Sequence, residues 1–368
     1  MRRLDLYRSG RDGLQGKCGR QGRDVIGGRG GPLPGYEERG RPGWDRPGGG
    51  ASGRPGGALE ELRRLVGGEL VGGGAPVLAV RRILPPDTRH GQVRLDELFG
   101  FDPSLQQVLF PRAAGTRPGD LLFFDLETTG LSGGAGTHAF LAGFLRAVPG
   151  AAPDYVPGAG AAADGSAAGG FELVQYFMPA YASEGLFLEL IDRLIGEAGA
   201  LVSYNGRCFD AGILRTRHVM CGMTAPWESA GEPEQFDLLY PCRRIWRGVL
   251  PDHTLGTVER ELLGVARERD LPGWMVPQVY TDFLAGRDSG ERLAAVFEHN
   301  RNDVLSLLSL LVRQLGVVSG SATARRINPV QLSRMLASSR RGEEARRVLS
   351  EHREANEALA HLGLLHRR

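Results

Sequence analysis

Lysine is almost absent from this chain of 368 residues, since Lys17 is the single lysine among 45 basic residues. The abundance of arginine, glycine and alanine that accompanies this shortage is typical of a GC-rich genome, so arginine content alone carries little functional weight. Neither sign of charge is in excess, because 45 basic and 43 acidic residues leave a formal net charge of only +2. The balance therefore gives no support for a polyanion-binding surface over the whole chain.

Cysteine is scarce and scattered, at positions 18, 208, 221 and 242. No two cysteines are close enough for a CxxC zinc or redox motif. In a chain of this length the spacing favours free thiols in a reducing compartment over a pair of disulfides. We therefore expect a cytoplasmic protein.

Long apolar runs are also missing, because no stretch of 18 consecutive apolar residues occurs. The basic N-terminus is not followed by the apolar segment of a secretory signal. We therefore expect neither a membrane-spanning helix nor a membrane partner.

Glycine, in contrast, is about twice as frequent as usual, with 55 in the chain. Residues 1–57 contain 18 of these glycines, 12 basic and 6 acidic residues, and no hydrophobic period. Such a segment cannot bury a core, which predicts a disordered Gly/Arg-rich arm. One interpretation, which rests on composition alone, is an arm that touches nucleic acid. The other, which we favour for that reason, is a biased extension without function or a wrongly assigned start.

Hydrophobic patterning predicts an α/β domain after the arm. Residues 58–120 form a lead-in that packs on the core, with short strands at 77–80 and 92–95, and the main domain spans 121–316. Within it we expect an exposed loop at 149–170, strands at 121–124, 139–144, 173–177 and 201–204, and helices at 183–197, 209–220 and 290–315. Three successive strands followed by helix, strand and helix indicate a mixed sheet, and 328–368 predicts a helical tail.

Two carboxylates end the apolar strand at 121–124. Asp125 and Glu127 are two residues apart, so a strand directs both to one face, while Phe124 and Leu126 point to the other. Adjacent carboxylates repel each other and are costly to desolvate, and a divalent cation removes that cost. The alternative is a pair of edge-strand charges that face water.

Three further polar residues follow in order along the chain. Asp210 comes after the strand at 201–204 and near a helix start, where an acidic residue is also a common cap. His299 and Asp303 are four residues apart on the long helix and share one face. They form either a surface pair or, because the helix is largely apolar, buried groups that need a partner.

Taken in order, these motifs resemble the DEDD superfamily of 3′→5′ exonucleases, which has a ribonuclease-H-like fold. The resemblance is closest to the YprB-type, ribonuclease-H-like family of bacteria and extends from about residue 77 to 315. It rests on five segments: FFDLETTGLSGGAGT (123–137), YNGRCFD (204–210), LGTVE (255–259), LPGW (271–274) and HNRNDVLS (299–306). The resemblance implies a ribonuclease-H-like mixed sheet flanked by helices.

The resemblance further implies a metal-dependent 3′→5′ exonuclease that hydrolyses phosphodiester bonds of DNA or RNA, with a single-stranded 3′ end as the expected substrate. Two divalent cations, Mg²⁺ or Mn²⁺, would be held by Asp125, Glu127, Asp210 and Asp303. Asp125 would bridge the ions, Glu127 and Asp303 would hold the ion that carries the attacking water, and Asp210 would help hold the other. The alternative function is a nucleic-acid-binding or interaction module that keeps the fold with little catalysis. Protein partners are not predicted.

His299 is the expected general base, since its ordinary pKa near 6.5 suits proton transfer at neutral pH. Its position departs from the resembled pattern. The histidine type of the superfamily places His five residues before the last Asp, and the tyrosine type places Tyr four before it. Here His299 has the tyrosine spacing and Glu298 occupies the other position.

Substrate contacts are expected from two segments. Thr128, Thr129 and Gly130 resemble the turn whose backbone meets the terminal nucleotide in such enzymes. Asn205 and Arg207 precede Asp210, and an arginine near a scissile bond commonly holds a phosphate. For Arg207 a solvated turn residue is an equal alternative.

Overall fold

The computed structural model describes residues 55–113, 115–130, 134–149, 168–207, 209–225, 233–267, 271–321 and 326–352. All of them belong to one unit, Gly53–Arg368. The predicted disordered arm lies outside the described residues up to position 54, as do residues 150–167 of the predicted loop and 353–368 of the predicted tail. The first helix begins at Pro55, slightly before the predicted end of the arm.

The described strands form a seven-stranded sheet and a separate two-stranded pair. The strands are β1 (Glu69–Val71), β2 (Val77–Leu84), β3 (Arg89–His90), β4 (Val93–Arg94), β5 (Leu121–Thr128), β6 (Ala139–Pro149), β7 (Ala168–Phe177), β8 (Ala200–Ser203) and β9 (Glu234–Asp237). The large sheet has the order β1-β2-β7-β6-β5-β8-β9, and β3 pairs with β4. β5, β8 and β9 run parallel to one another, and the other neighbours are antiparallel, so the sheet is mixed as predicted.

Helices flank the sheet, which confirms the predicted α/β class. The described helices are α1 (Pro55–Val66), α2 (Gln106–Leu109), α3 (Glu184–Gly196), α4 (Asp210–Met220), α5 (Leu239–Ile245), α6 (Leu255–Val258), α7 (Val276–Leu284), α8 (Glu291–Ser319), α9 (Pro329–Ser338) and α10 (Gly342–Glu351). A π-helical turn, Glu259–Leu263, continues α6. The last two helices occupy the predicted helical tail.

The sheet separates two hydrophobic clusters, because successive strand residues point to opposite faces. In β5, Leu121 and Phe123 pack in one cluster, while Leu122, Phe124 and Leu126 pack in the other. The alternation places Asp125 and Glu127 on the same face of the sheet as Phe123. The two carboxylates therefore share one face, as the sequence predicts.

Helix α8 is 29 residues long and contributes to both clusters. In the described part of the chain it is the one helix long and apolar enough to cross a membrane, with a window hydropathy of 1.2. However, 78% of that window is buried inside the protein. This burial is typical of a core helix.

Several local predictions differ from the structure. The predicted strand at 92–95 is the two-residue β4, and a 3₁₀ helix begins at Leu95. Strands β1 and β9 were not predicted, because three and four residues are too few to show a period, and β9 has one apolar residue, Phe236. Cys221 and Cys242 are free thiols, Cys18 and Cys208 lie outside the described residues, and the cytoplasmic location stays a prediction.

Candidate active site

The candidate site lies at the end of β5, where the apolar strand gives way to acidic residues. Asp125 and Glu127 are half-buried, whereas Phe124 and Leu126 are buried on the opposite face. The pairing of β5 with β6 is irregular between Glu127 and Thr128. The strand thus carries both carboxylates to its end before the chain turns.

Helix α8 passes this strand end and adds two more polar groups. Ligand atoms of Glu127, His299 and Asp303 all lie within 4.8 Å of one another. His299 Nε2 is 3.7 Å from Asp303 Oδ2 on the same helix face, as the i,i+4 spacing predicts. The structure therefore brings together three of the five predicted catalytic residues in one tight group.

Asp125 is fixed beside this group by Asn300. The Asn300 side-chain N–H donates to the Asp125 carbonyl oxygen (3.2 Å) and to its Oδ2 (3.1 Å). Asn300 is itself fully buried, and its Oδ1 accepts from Gln175 Nε2 at 3.0 Å. Asp125 is outside the tight group of three. Burial, and after it the charges of Asp303, Glu127 and Asp210, raise its pKa, so the four carboxylates interact electrostatically.

Burial makes Asp125 and Glu127 hard to ionise. It raises the pKa of Asp125 well above its ordinary range, and the neighbouring carboxylates add to that rise. Burial likewise raises the pKa of Glu127 to about 8, although the charge of His299 opposes the change. Glu127 Oε1 is buried and has no hydrogen-bond partner among the described residues. Hard carboxylate oxygens without partners fit a divalent cation such as Mg²⁺ or Mn²⁺, so the donor set suits the expected metal.

Asp210 lies at the start of α4, which follows β8, the parallel neighbour of β5. It is the first residue of α4, it is 6% exposed, and Phe209 rather than Asp210 occupies the cap position. Burial, followed by the charge of Asp237, raises the pKa of Asp210 to about 7. Gly206 packs so closely that a Cβ there would lie 2.7 Å from Asp210 Oδ2. Asp210 is thus a buried acid near Asp125, outside the tight group.

Asp237, at the end of β9, is an acidic residue that the sequence analysis missed. Its Oδ1 accepts the backbone N–H of Asn205 (2.8 Å) and of Leu239 (3.1 Å). Asp237 is 3% exposed and burial raises its pKa. It holds the segment before Asp210, where Asn205 has a left-handed φ of 64°. Asp237 directly follows the buried strand residue Phe236, just as Asp125 follows Phe124. The sequence analysis did not use this pattern because it did not predict β9.

Glu259 and Arg267 were also missed as site residues, although LGTVE was noted as a motif. Arg267 donates to Glu259 Oε1 and to Asp303 Oδ1, and its Nη1 lies 3.2 Å from His299 Nδ1. Glu259 is 1% exposed. The charges of Asp303 and Glu259 raise the pKa of Arg267 against the opposing effect of burial. A fixed cation therefore lies against the acidic cluster.

Comparison with known proteins identifies the fold family. The model of the RNase_H superfamily matches residues 122–314, which include β5, α4 and most of α8. The chain belongs to the RNase_H superfamily. It resembles the uncharacterized protein YprB of Bacillus subtilis (strain 168), with 35% identity over 201 residues, 54% of this chain and 43% of that protein. The chain thus spans less than half the length of this curated relative.

Among solved structures, this RNase_H superfamily member is similar to exonuclease I. One exonuclease I structure has 17% identity and a TM-score of 0.31, and covers 58% of this chain and 44% of its own. A structure of E. coli exonuclease I with a dT13 oligonucleotide has 16% identity and a TM-score of 0.31, and covers 58% and 45%.

The predicted substrate-binding residues lie in two turns of this superfamily domain. Thr128 is buried and its hydroxyl donates to the Gly130 carbonyl oxygen at 3.0 Å. Thr129 is paired with His138 through a backbone N–H to its carbonyl (2.9 Å) and through its Oγ1, which accepts the His138 N–H (3.0 Å). Asn205 and Arg207 are exposed beside Asp210. The first turn is held rigidly and the second presents its side chains to solvent.

Proposed function

We propose that this protein is a metal-dependent nuclease that hydrolyses phosphodiester bonds of DNA or RNA from a 3′ end. The observation that carries the proposal is the largely shielded acidic cluster, in which burial and mutual repulsion raise the pKa of the half-buried Asp125 and Glu127. Such a cluster is unfavourable as carboxylates alone and favourable around divalent cations. Membership of the RNase_H superfamily supports the same class.

Four residues would hold the cations in this proposal. Asp125 would contact both ions, Glu127 and Asp303 the ion on the α8 side, and Asp210 the other ion, directly or through water. When bound, a pair of Mg²⁺ or Mn²⁺ ions supplies Lewis-acid stabilisation of the charge that develops on phosphate oxygens. The chain's own contribution is to orient the carboxylates, which it does through Asn300 at Asp125.

The substrate in this proposal is a single-stranded 3′ end. Thr128 and Thr129 lie directly after Glu127 in a turn held by His138, so a terminal nucleotide that contacts the turn would also reach the acids. Arg207 is exposed beside buried Asp210 and is available for a phosphate. Removal of nucleotides one at a time follows if only a chain end fits between these turns.

The test uses 5′-labelled single-stranded DNA and RNA oligomers with Mn²⁺ or with EDTA. The expected result is a ladder of products shortened from the 3′ end that EDTA abolishes, and that Asp125→Asn reduces by at least ~10²-fold. Asp96→Asn is a matched control, because Asp96 pairs with Arg94 away from the cluster. Tight oligomer binding without cleavage by the parent chain would instead favour the non-catalytic binding module.

A further inference from the structure

Tyr181 is a half-exposed aromatic residue in the 3₁₀ turn that directly precedes α3. It is 52% exposed, and its ring centroid lies 4.6 Å from that of His138 at an interplanar angle of 45°. The fully buried Tyr280 contacts the same ring edge-on, with the centroids 6.4 Å apart and the planes at 82°. Two aromatic neighbours therefore support the ring from the protein side, while about half of Tyr181 is open to solvent.

His138 joins Tyr181 to the turn that follows Glu127. The Thr129 N–H donates to the His138 carbonyl oxygen at 2.9 Å, and the His138 N–H donates to Thr129 Oγ1 at 3.0 Å. Thr129 is two residues from Glu127, so their Cα atoms are at most about 7 Å apart. The Tyr181 ring thus borders the turn that the proposed function assigns to the terminal nucleotide.

A buried ion pair fixes the imidazole on which Tyr181 packs. The side chains of Glu184 and Arg217 are 9% and 6% exposed, and two hydrogen bonds of 2.6 Å join them. His138 Nδ1 donates to Glu184 Oε1 at 2.9 Å, and Arg217 Nη1 donates to the Ala135 carbonyl oxygen at 2.6 Å. Burial opposes ionisation of Glu184, but the hydrogen bonds from Arg217 and His138 outweigh it and lower the pKa of this carboxyl. An ionised, shielded carboxylate therefore holds His138 in one orientation.

A half-exposed ring held in this way is the type of surface on which an unpaired nucleobase stacks, because every base has a flat π-face. A ring that is already fixed loses little conformational freedom when a base covers it. We propose that Tyr181 is a nucleobase-binding residue, on which the base at the 3′ end of a DNA or RNA strand stacks. The position of the chain end rests on the proposed nuclease function, whereas the stacking contact does not require cleavage.

Removal of the terminal base tests this contact. The probes are a short 5′-labelled oligothymidylate, the same oligomer with an abasic sugar at its 3′ end, and a third with an abasic sugar at its 5′ end. Fluorescence anisotropy measures binding in Ca²⁺, which neutralises the acidic cluster, and gels confirm that the oligomers stay intact. The parent should bind the 3′-abasic oligomer roughly 5–20-fold more weakly than the other two, within the range for one lost stacked base.

Variants of exposed tyrosines assign the effect to one ring. Tyr181→Ala should bind all three oligomers with the affinity that the parent has for the 3′-abasic one. Tyr181→Phe should keep the preference for the 3′ base, because its ring remains. Tyr240→Ala is the matched control, since it removes a tyrosine on α5 that is 47% exposed, and it should leave the preference unchanged.

The ion pair that supports the ring has a matched pair of variants of its own. Glu184→Gln weakens the bonds to Arg217 and His138, and it should reduce the preference for the 3′ base about two- to threefold through misplacement of the imidazole. Asp192→Asn weakens the 2.9 Å pair of Asp192 with the buried His218, which joins the same two helices, α3 and α4. This control should leave the preference unchanged, which separates the position of His138 from a general loosening of the helices.

Two results would overturn the proposal: a parent chain that does not distinguish the three oligomers or binds none of them, or a preference for the 3′ base that persists in Tyr181→Ala. If the nuclease assay succeeds, Tyr181→Ala should raise KM by ~5–20-fold and lower kcat less than about threefold. Failure of the nuclease assay, together with a base preference that depends on Tyr181, would contradict the proposed function and leave the stacking site standing.

Discussion

Asn300 donates its side-chain amide to both the carbonyl oxygen and Oδ2 of Asp125, at 3.2 and 3.1 Å. A helix residue therefore fixes the backbone and the carboxylate of a strand residue 175 positions earlier in the chain. The Asn300 side chain also packs against Gly143 of β6, where a larger residue would clash, since a Cβ at Gly143 would lie 2.1 Å from Asn300 Oδ1. The orientation of Asp125 thus depends on a glycine on the neighbouring strand.

The first prediction concerns this bond. Asn300→Ala should lower the free energy of unfolding by about 1–3 kcal/mol, because it leaves buried polar groups of Asp125 and Gln175 without their partner. Gly143→Ala should have a similar effect by displacing Asn300. Denaturant unfolding measures both. Ser309→Ala is the matched control on the same helix, because the buried Ser309 hydroxyl has no partner among the described residues, and it should be neutral or stabilising.

The second prediction concerns pH. The folded-state pKa of Glu127, about 8, exceeds its ordinary value of 4.5, so the folded chain retains a proton that the unfolded chain loses. The stabilisation linked to this proton is complete below the ordinary value and is lost as pH rises through about 8. In EDTA, Glu127→Gln should therefore melt roughly 2–4 °C or more above the parent at about pH 9 and match it at about pH 5. Equal melting temperatures at both pH values would contradict the burial of this carboxyl.

The third prediction concerns metal binding. Mn²⁺ at 100 times its dissociation constant should stabilise the parent by about 2.7 kcal/mol, since it binds the folded chain alone. Its affinity should rise with pH, because Glu127 must lose its proton to bind. Thermal shift and calorimetric titration measure these effects, and Asp303→Asn should abolish most of the shift. A shift that persists in Asp303→Asn would place the ion elsewhere.

The fourth prediction concerns the segment before Asp210. Asp237→Ala removes the acceptor of the Asn205 and Leu239 N–H groups and should cost about 1–3 kcal/mol. Asp237→Asn keeps an acceptor oxygen and removes a charge that raises the pKa of Asp210, so it should cost much less. Urea unfolding of the two variants separates the hydrogen bonds from the charge.

The backbone of the same segment provides an independent check. Asn205 has a φ of 64°, which glycine adopts freely and a β-branched residue does not. Asn205→Gly should be tolerated, and Asn205→Val should destabilise the chain by about 1–2 kcal/mol. Equal stability of the two variants would contradict the left-handed conformation.

The sequence predicted the parts of the site that depend on local periodicity. Alternation along β5 placed Asp125 and Glu127 on one face, and helical spacing placed His299 beside Asp303. Residues whose role depends on contacts between distant segments were not found. Arg267 lies in a loop without a period, and its partners come from α8 and the π-helical turn. Asp237 was missed because β9 is short and mostly polar.

Helix α8 places residues 299–303 between two separate hydrophobic anchors. Leu293, Val296 and Phe297 pack in one cluster, while the apolar residues from Val304 to Val318 pack in the other. An amide in the intervening segment can exchange its hydrogen with solvent only when the helix opens, and opening disrupts packing at both ends. We expect the backbone amides of 299–303 to exchange at the rate of global unfolding, so the helical side of the site belongs to the most slowly exchanging part of the domain.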